Sequence, residues 1–281
     1  MFSGFRWLLA LAPLVLPTFL LAGSIERVEA RVVAMDEENQ AVRLELPSGE
    51  IVEGVRISPG DAGIDYTGRK VQGTLNRRGE TPRLDTIYPL DGPRVQAMER
   101  ANRGLIREAA GRGRGEILAR GDYWPEVALF NEDGEVVFGR EFKQQPTVVA
   151  FIFTRCNMPN MCPATSQRMV RLSREVEEAG IDGVRFALVS FDPEYDSPGI
   201  LRQYADSYGM DREQFDLLTG PPDAIDALLR TVGIRAFAED GTLNHNMAAF
   251  LLDDHGRIVL REDGSLWSPE AMLQQLQRIE G

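Results

Sequence analysis

The sequence predicts a mixed α/β domain preceded by a small all-β module. Two contrasts along the chain support this. Residues 25–90 alternate apolar and polar positions in short runs separated by turns, the period of half-buried strands. From about residue 122 onward, continuous apolar runs alternate with helical segments that open on proline, the pattern of a central sheet covered on both faces. The chain has 281 residues, with 43% hydrophobic and 26% charged residues, so it can form a normal packed core and is not compositionally disordered.

The N-terminus reads as an export segment. Arg6 supplies a positive flank, and Trp7 to Ala22 is apolar apart from Thr18. This stretch is shorter than the ~20 residues a spanning helix needs, and Pro13 and Pro17 weaken it as a helix. Ala22-Gly23-Ser24 suits a signal peptidase, so residues 1–24 are a signal peptide or a short retained anchor. Both place the body of the protein where cysteines can oxidise. Residues 25–91 follow as a barrel-like or sandwich module, with strands expected at Val28–Val33, Ala41–Leu46, Ile51–Ile57, Lys70–Leu75 and Arg83–Ile87. The module has no cysteine or histidine and reads as a docking or spacer unit. Residues 92–120 are expected to be a linker, helical over Val95–Ala110 and broken by Gly111-Arg112-Gly113-Arg114-Gly115.

The domain over 121–281 opens with a hairpin, Val127–Phe130 and Glu135–Phe138, about the turn Asn131-Glu132-Asp133-Gly134. Val148–Phe153 and Arg185–Phe191 are buried strands, while Pro163–Ala179, Pro198–Tyr208 and Pro222–Val232 are helices. Met247–Leu252 and Arg257–Arg261 form a second hairpin, and Ser268–Ile279 closes the domain as a helix capped by Ser268. A thioredoxin-like arrangement fits this order, although periodicity alone also permits other α/β folds. The formal net charge of −12 argues against nucleic acid as a partner, because phosphate recognition needs a clustered basic surface.

The chain has two cysteines, Cys156 and Cys162, between a buried strand and a helix. With Pro163 as the first helical residue, Cys162 is expected at the cap, where free N–H groups and the helix dipole favour a thiolate. Arg155 adds a nearby positive charge. One reading is a structural disulfide, but so short a loop gains only roughly 2 kcal/mol from closure. Of the two histidines, His255 lies in an Asp-His-Gly turn and reads as a surface residue. His245 precedes a strand whose start lies at the cysteine edge of a thioredoxin-like sheet. Two thiolates and one imidazole suit copper, whereas a structural zinc site wants four ligands, with Asp192 the only candidate for the fourth. Met158 and Met161 carry thioethers nearby but read first as loop or core packing.

The segment Phe151-Ile152-Phe153-Thr154-Arg155-Cys156 with Cys162-Pro163 resembles the Sco/SenC signature. Ser190-Phe191-Asp192-Pro193-Glu194-Tyr195-Asp196-Ser197-Pro198 is similar to that family's second segment. Leu217-Leu218-Thr219-Gly220, the stretch His245 to Gly256, and Gly121-Asp122 with Pro125 match in kind and order. The resemblance covers about residues 120–281 and implies a thioredoxin-like copper metallochaperone. The implied copper ligands are Cys156, Cys162 and His245, with Asp192 in a supporting role at most. The implied partner is the copper-bearing subunit of cytochrome c oxidase, whose dinuclear copper site is assembled by copper delivery or by thiol reduction. The chain departs from the family in one respect: five residues separate its cysteines where the family has three. That departure raises a second reading, a thiol-disulfide oxidoreductase in which Cys156 and Cys162 are a redox pair acting on another exported thiol protein. A third is a redox-responsive binding module whose barrel contacts the partner. The expected location is periplasmic, or membrane-anchored through the N-terminus.

Overall fold

The computed structural model describes residues 24–113, 115–239 and 242–280, with side chains described outside 236–244 and 280. The export segment therefore lies outside the described residues, apart from Ser24. Among the described residues, no helix is long and apolar enough to cross a membrane.

Five strands form a closed barrel in the order β1-β2-β3-β5-β4. They are β1 (Ile25–Asp36), β2 (Ala41–Glu45), β3 (Ile51–Arg56), β4 (Lys70–Asn76) and β5 (Arg83–Pro89), with the short helix α1 (Pro59–Ala62) between β3 and β4. Alternation supplies the interior: Val42 and Leu44, Val52 and Val55, and Val71 and Leu75 point inward. Closure removes the exposed edges that such short strands would otherwise present. The fourth strand bends at a bulge opposite β5, where a Cβ on Gly73 would lie 2.8 Å from a Leu84 methyl.

Helix α2 (Pro93–Gly111) follows. The helix expected over Val95–Ala110 is present, and one face of it is buried. Val95, Met98, Asn102, Leu105 and Ala109 are buried, and Asn102 holds both backbone groups of Ala128 at 2.8 and 2.9 Å. The hairpin β6 (Ala128–Phe130) and β7 (Val136–Phe138) comes next.

The central sheet has the order β10-β9-β8-β13-β14. Strands β8 (Thr147–Ile152), β9 (Arg185–Ser190) and β10 (Phe215–Leu218) run parallel, while β13 (Ala248–Leu252) and β14 (Ile258–Asp263) return antiparallel. Every residue of β8, β10 and β13 is buried, so both faces are covered. Helices α3 (Cys162–Glu178) and α6 (Pro269–Glu280) pack together, as do α2 and α5 (Pro222–Val232). Helix α4 (Pro198–Tyr208) stops at Gly209, which takes a left-handed φ of 63° and caps the last turn. Ser268 caps α6 by accepting the Ala271 amide at 3.1 Å. A further hairpin, β11 (Ala236–Glu239) and β12 (Thr242–His245), precedes β13. Sequence reasoning did not foresee it. The order of elements is that of a thioredoxin-like domain behind an all-β barrel.

The barrel sits directly on this domain. Gly60 of α1 and Gly199 of α4 approach so closely that a Cβ on Gly60 would fall 1.8 Å from the Gly199 carbonyl. Tyr88 of β5 packs against Phe130 with ring centroids 5.9 Å apart, within a small core that also takes in Val95, Met98, Val136 and Phe138.

Candidate functional site

The parallel pairing of β8 with β9 ends level, with Ile152 opposite Ser190. Two loops therefore leave the sheet side by side: the cysteine loop after β8, and the segment 191–197 after β9. Crevices beyond the carboxyl ends of parallel strands are where open α/β sheets bind ligands.

Asp196 ties the two loops together. Its carboxylate accepts the Thr154 amide at 3.0 Å and the Ser190 hydroxyl at 2.5 Å, and it also accepts the Thr154 hydroxyl. Burial pushes this carboxyl up to about 6, against the lowering effect of those donors. Arg155 then reaches back to Asp192, with Nε and Nη2 at 3.0 and 2.5 Å from one carboxylate oxygen. Its guanidinium stacks 4.4 Å over the Tyr195 ring. The positive charge expected beside the cysteines is therefore already paired. Asp192, the nearby acid given at most a supporting role, pairs with Arg155.

Both cysteines are free thiols, Cys156 half-buried and Cys162 fully buried. The Cys156 side chain neighbours Cys162 and opposes its ionisation, and the Cys156 amide returns to the Phe153 carbonyl at 3.3 Å. Helix α3 starts one residue earlier than expected: Met161 is the cap, and Cys162 is the first helical residue. Expected as a thiolate, Cys162 sits where the protonated thiol is favoured. Burial raises its pKa far above the ordinary thiol value, and the neighbouring Cys156 adds to the rise, while a hydrogen bond from the Phe153 backbone opposes it. The magnitudes explain the outcome. A helix dipole is worth about 0.3–1 kcal/mol at a terminus, whereas full burial of an ionisable group shifts its pKa by several units.

His245 ends β12 and is half-buried against two aromatic rings. Its ring centroid lies 5.7 Å from Phe153, edge-on, and 4.6 Å from Phe191. Phe153 and Phe191 are themselves 5.2 Å apart. Each belongs to one of the two loops, so the imidazole sits on their shared wall. Nδ1 lies 3.2 Å from the Asn246 carbonyl. Donating there fixes the tautomer and leaves the Nε2 lone pair available. Burial lowers the pKa of His245, which favours the neutral, metal-binding form. Met161 and His245 also line one groove, with Ile117, Asn246 and Met247. The structure thus seats the imidazole against Phe153, three residues before Cys156, at the root of the cysteine loop. The imidazole and the two thiols do not close into a cage: among the described residues, no group of three or more His, Cys, Asp or Glu side chains converges as a metal site. Met158 is largely exposed on the loop. His255 is exposed in its turn at the far end of β13.

The SCO1/SenC family model matches residues 119–280, more than half the chain. The chain belongs to this family. A SCO1 protein homolog of Bacillus subtilis (strain 168) is 34% identical over 90 residues, 32% of this chain and 45% of the relative. A protein of Stutzerimonas stutzeri named for copper binding is 26% identical over 118 residues, 42% of this chain and 55% of the relative. The chain thus spans about half the length of the curated relatives it matches. Among solved structures, a SCO1/SenC family lipoprotein from Bacillus anthracis str. Ames superposes with a TM-score of 0.53 at 22% identity, over 59% of this chain and 99% of that one. BsSco, a member of the Sco family of cytochrome c oxidase assembly proteins with an identified disulfide switch, gives 0.51 at 24% identity, over 58% and 96%. These likenesses establish the thioredoxin-like Sco fold. The family match leaves the barrel and α2 outside it.

Residues that sequence reasoning did not single out include Phe153 and Phe191 as the seat of His245, and Asp196 as the tie between loops. All three lie inside the segments that carried the resemblance.

Proposed function

We propose that this SCO1/SenC protein is a copper metallochaperone. Cys156 and Cys162 take the ion as thiolates and His245 completes the set through Nε2. Its client is the copper-bearing subunit of cytochrome c oxidase, whose dinuclear copper site it helps to assemble, on the exported side of a membrane. The observation that supports this best is the seat of His245 on Phe153 and Phe191, with Nδ1 facing the Asn246 carbonyl, at the root of the loop that leads to two free thiols. That soft donor set favours copper, and the copper-binding name of one relative agrees. Because the three side chains do not converge as they stand, loading is expected to draw the β11–β12 hairpin and the cysteine loop together. The buried Cys162 gives up its proton when it meets the metal.

The test is Cu(I) titration of the fully reduced chain against a competing chelator. One copper per chain is expected, abolished by Cys156→Ala or Cys162→Ala and weakened by His245→Ala. Undiminished affinity in His245→Ala removes the imidazole from the ligand set.

The contrast between the two thiols also favours thiol exchange. The half-exposed Cys156 thiolate attacks a partner's disulfide, forming a mixed disulfide and releasing one partner thiol. Cys162 then displaces the second partner thiol, which closes the Cys156–Cys162 disulfide. The partner gains two electrons and the chain loses two. Reduction of the client's disulfide by copper-free protein, unchanged in His245→Ala, is the result expected of this activity.

A further inference from the structure

The barrel has no ligand chemistry of its own, yet it reaches the loops that frame the cysteines. Tyr88, in the last barrel strand, is 7% exposed, and its hydroxyl points out of the barrel. It donates to the Pro193 carbonyl at 2.7 Å and lies 3.2 Å from the Asp196 carbonyl. The Thr219 hydroxyl, 3.0 Å away, can donate to it in turn. Pro193 and Asp196 belong to the segment whose Asp192 holds Arg155 and whose Asp196 holds Thr154. Thr154 and Arg155 are the two residues immediately before Cys156. The barrel grips the same segment a second time three residues further on, where α1 meets α4. There a Cβ on Gly199 would fall 2.3 Å from the Asp61 carboxylate and 2.6 Å from the Asp61 amide nitrogen.

We infer that the N-terminal barrel is a positioning module for the cysteine site, acting through the Tyr88 hydroxyl. Tyr88 clamps the segment 193–196, and Asp196 passes that constraint to Thr154 at the root of the cysteine loop. Each link is a hydrogen bond between buried or half-buried groups. A buried hydroxyl removed from such a chain leaves carbonyls unpaired, and the segment becomes easier to displace. The cysteine loop then opens more often, because its anchor moves with the segment. The inference gives the barrel a role in the thiol and copper chemistry proposed above, but its first readout does not depend on that reading.

Tyr88→Phe in the full-length chain keeps the ring against Phe130 and deletes only the hydroxyl. Cys162 is buried and reacts with a small alkylating reagent only when the loop opens, so its labelling rate under native, reducing conditions reports the opening equilibrium. Tyr88→Phe is expected to raise that rate on the order of tenfold, the effect of losing one buried hydrogen bond. Val55→Ala weakens the barrel core without touching the clamp and is expected to leave the rate at the wild-type value. An unchanged rate in Tyr88→Phe overturns the inference. So does an equal rise in Val55→Ala, which reduces the effect to general barrel stability. Cu(I) affinity is measured on the same proteins, and a parallel loss in Tyr88→Phe extends the clamp to metal binding. If the wild type binds no Cu(I), the metallochaperone reading fails, while Cys162 labelling still decides the role of Tyr88.

Discussion

Glu132 is a carboxylic acid that the fold keeps from water, and its titration should be visible in the stability of the whole chain. It lies in the turn between β6 and β7, is 1% exposed, and accepts the Leu217 amide of β10 at 2.8 Å. Burial pushes its pKa from 4.5 to about 7, with Asp216 adding to the rise and the Leu217 amide opposing it. Because the folded-state pKa is raised, the native state holds the proton more tightly than the unfolded chain between pH 4.5 and 7. The stabilisation is therefore complete below pH 4.5 and is lost as pH rises through about 7. At 1.36 kcal/mol per pH unit, the two pKa values differ by about 3 kcal/mol of stability between acid and alkaline conditions. Glu132→Gln keeps an oxygen for the Leu217 amide and cannot ionise. At pH 8 it should unfold in urea with about 3 kcal/mol more stability than wild type, and melt several degrees higher. At pH 5 the two should nearly coincide. Comparing the variant with wild type at each pH cancels the other buried carboxyls. Parallel stability curves from pH 5 to 8 would refute the reasoning, because they would mean that Glu132 is as hydrated in the fold as in the unfolded chain.

Two further outcomes follow from the packing and the thiol environment. Gly199→Ala drives a methyl group into Asp61 and should destabilise the chain by about 1–3 kcal/mol, as overpacking does; wild-type urea unfolding would contradict the close approach of α1 and α4. At pH 8 under native reducing conditions, iodoacetamide should label Cys156 and leave Cys162 essentially untouched until denaturant is added; equal native labelling, read by peptide mass mapping, would contradict the burial of Cys162.

Where a helix is bracketed by proline and glycine, the sequence alone marks its limits. Pro198 and Gly209 enclose α4, and Pro222 and Gly233 enclose α5, because each residue type suits only its own end of a helix. Barrel alternation was equally legible, since only strands bury every second residue. The cysteine site was half legible. Its residues were identifiable, but the state of Cys162 was not, because a helix start is a local pattern whereas burial depends on which strands and helices close over it. The hairpin carrying His245 is built from two strands of four residues each, too short to show a clear period beside the buried strand that follows. Tyr88 and Asp196 are 108 residues apart, and nothing in the alternation of β5 distinguishes a tyrosine that reaches outward from one that fills the core.

The fastening of Thr154 to Asp196 has a consequence for how the cysteine loop can vary. Its entrance is pinned before Cys156, and its exit is seated in the first turn of α3. Residues 157–160 therefore form a tolerance zone, where chain can be added or removed as an outward bulge without shifting either anchorage. Two additional residues between the thiols are then no obstacle to the fold. A mutational scan that shortens this stretch would change the reach of Cys156 and leave the β8–β9 scaffold as it is.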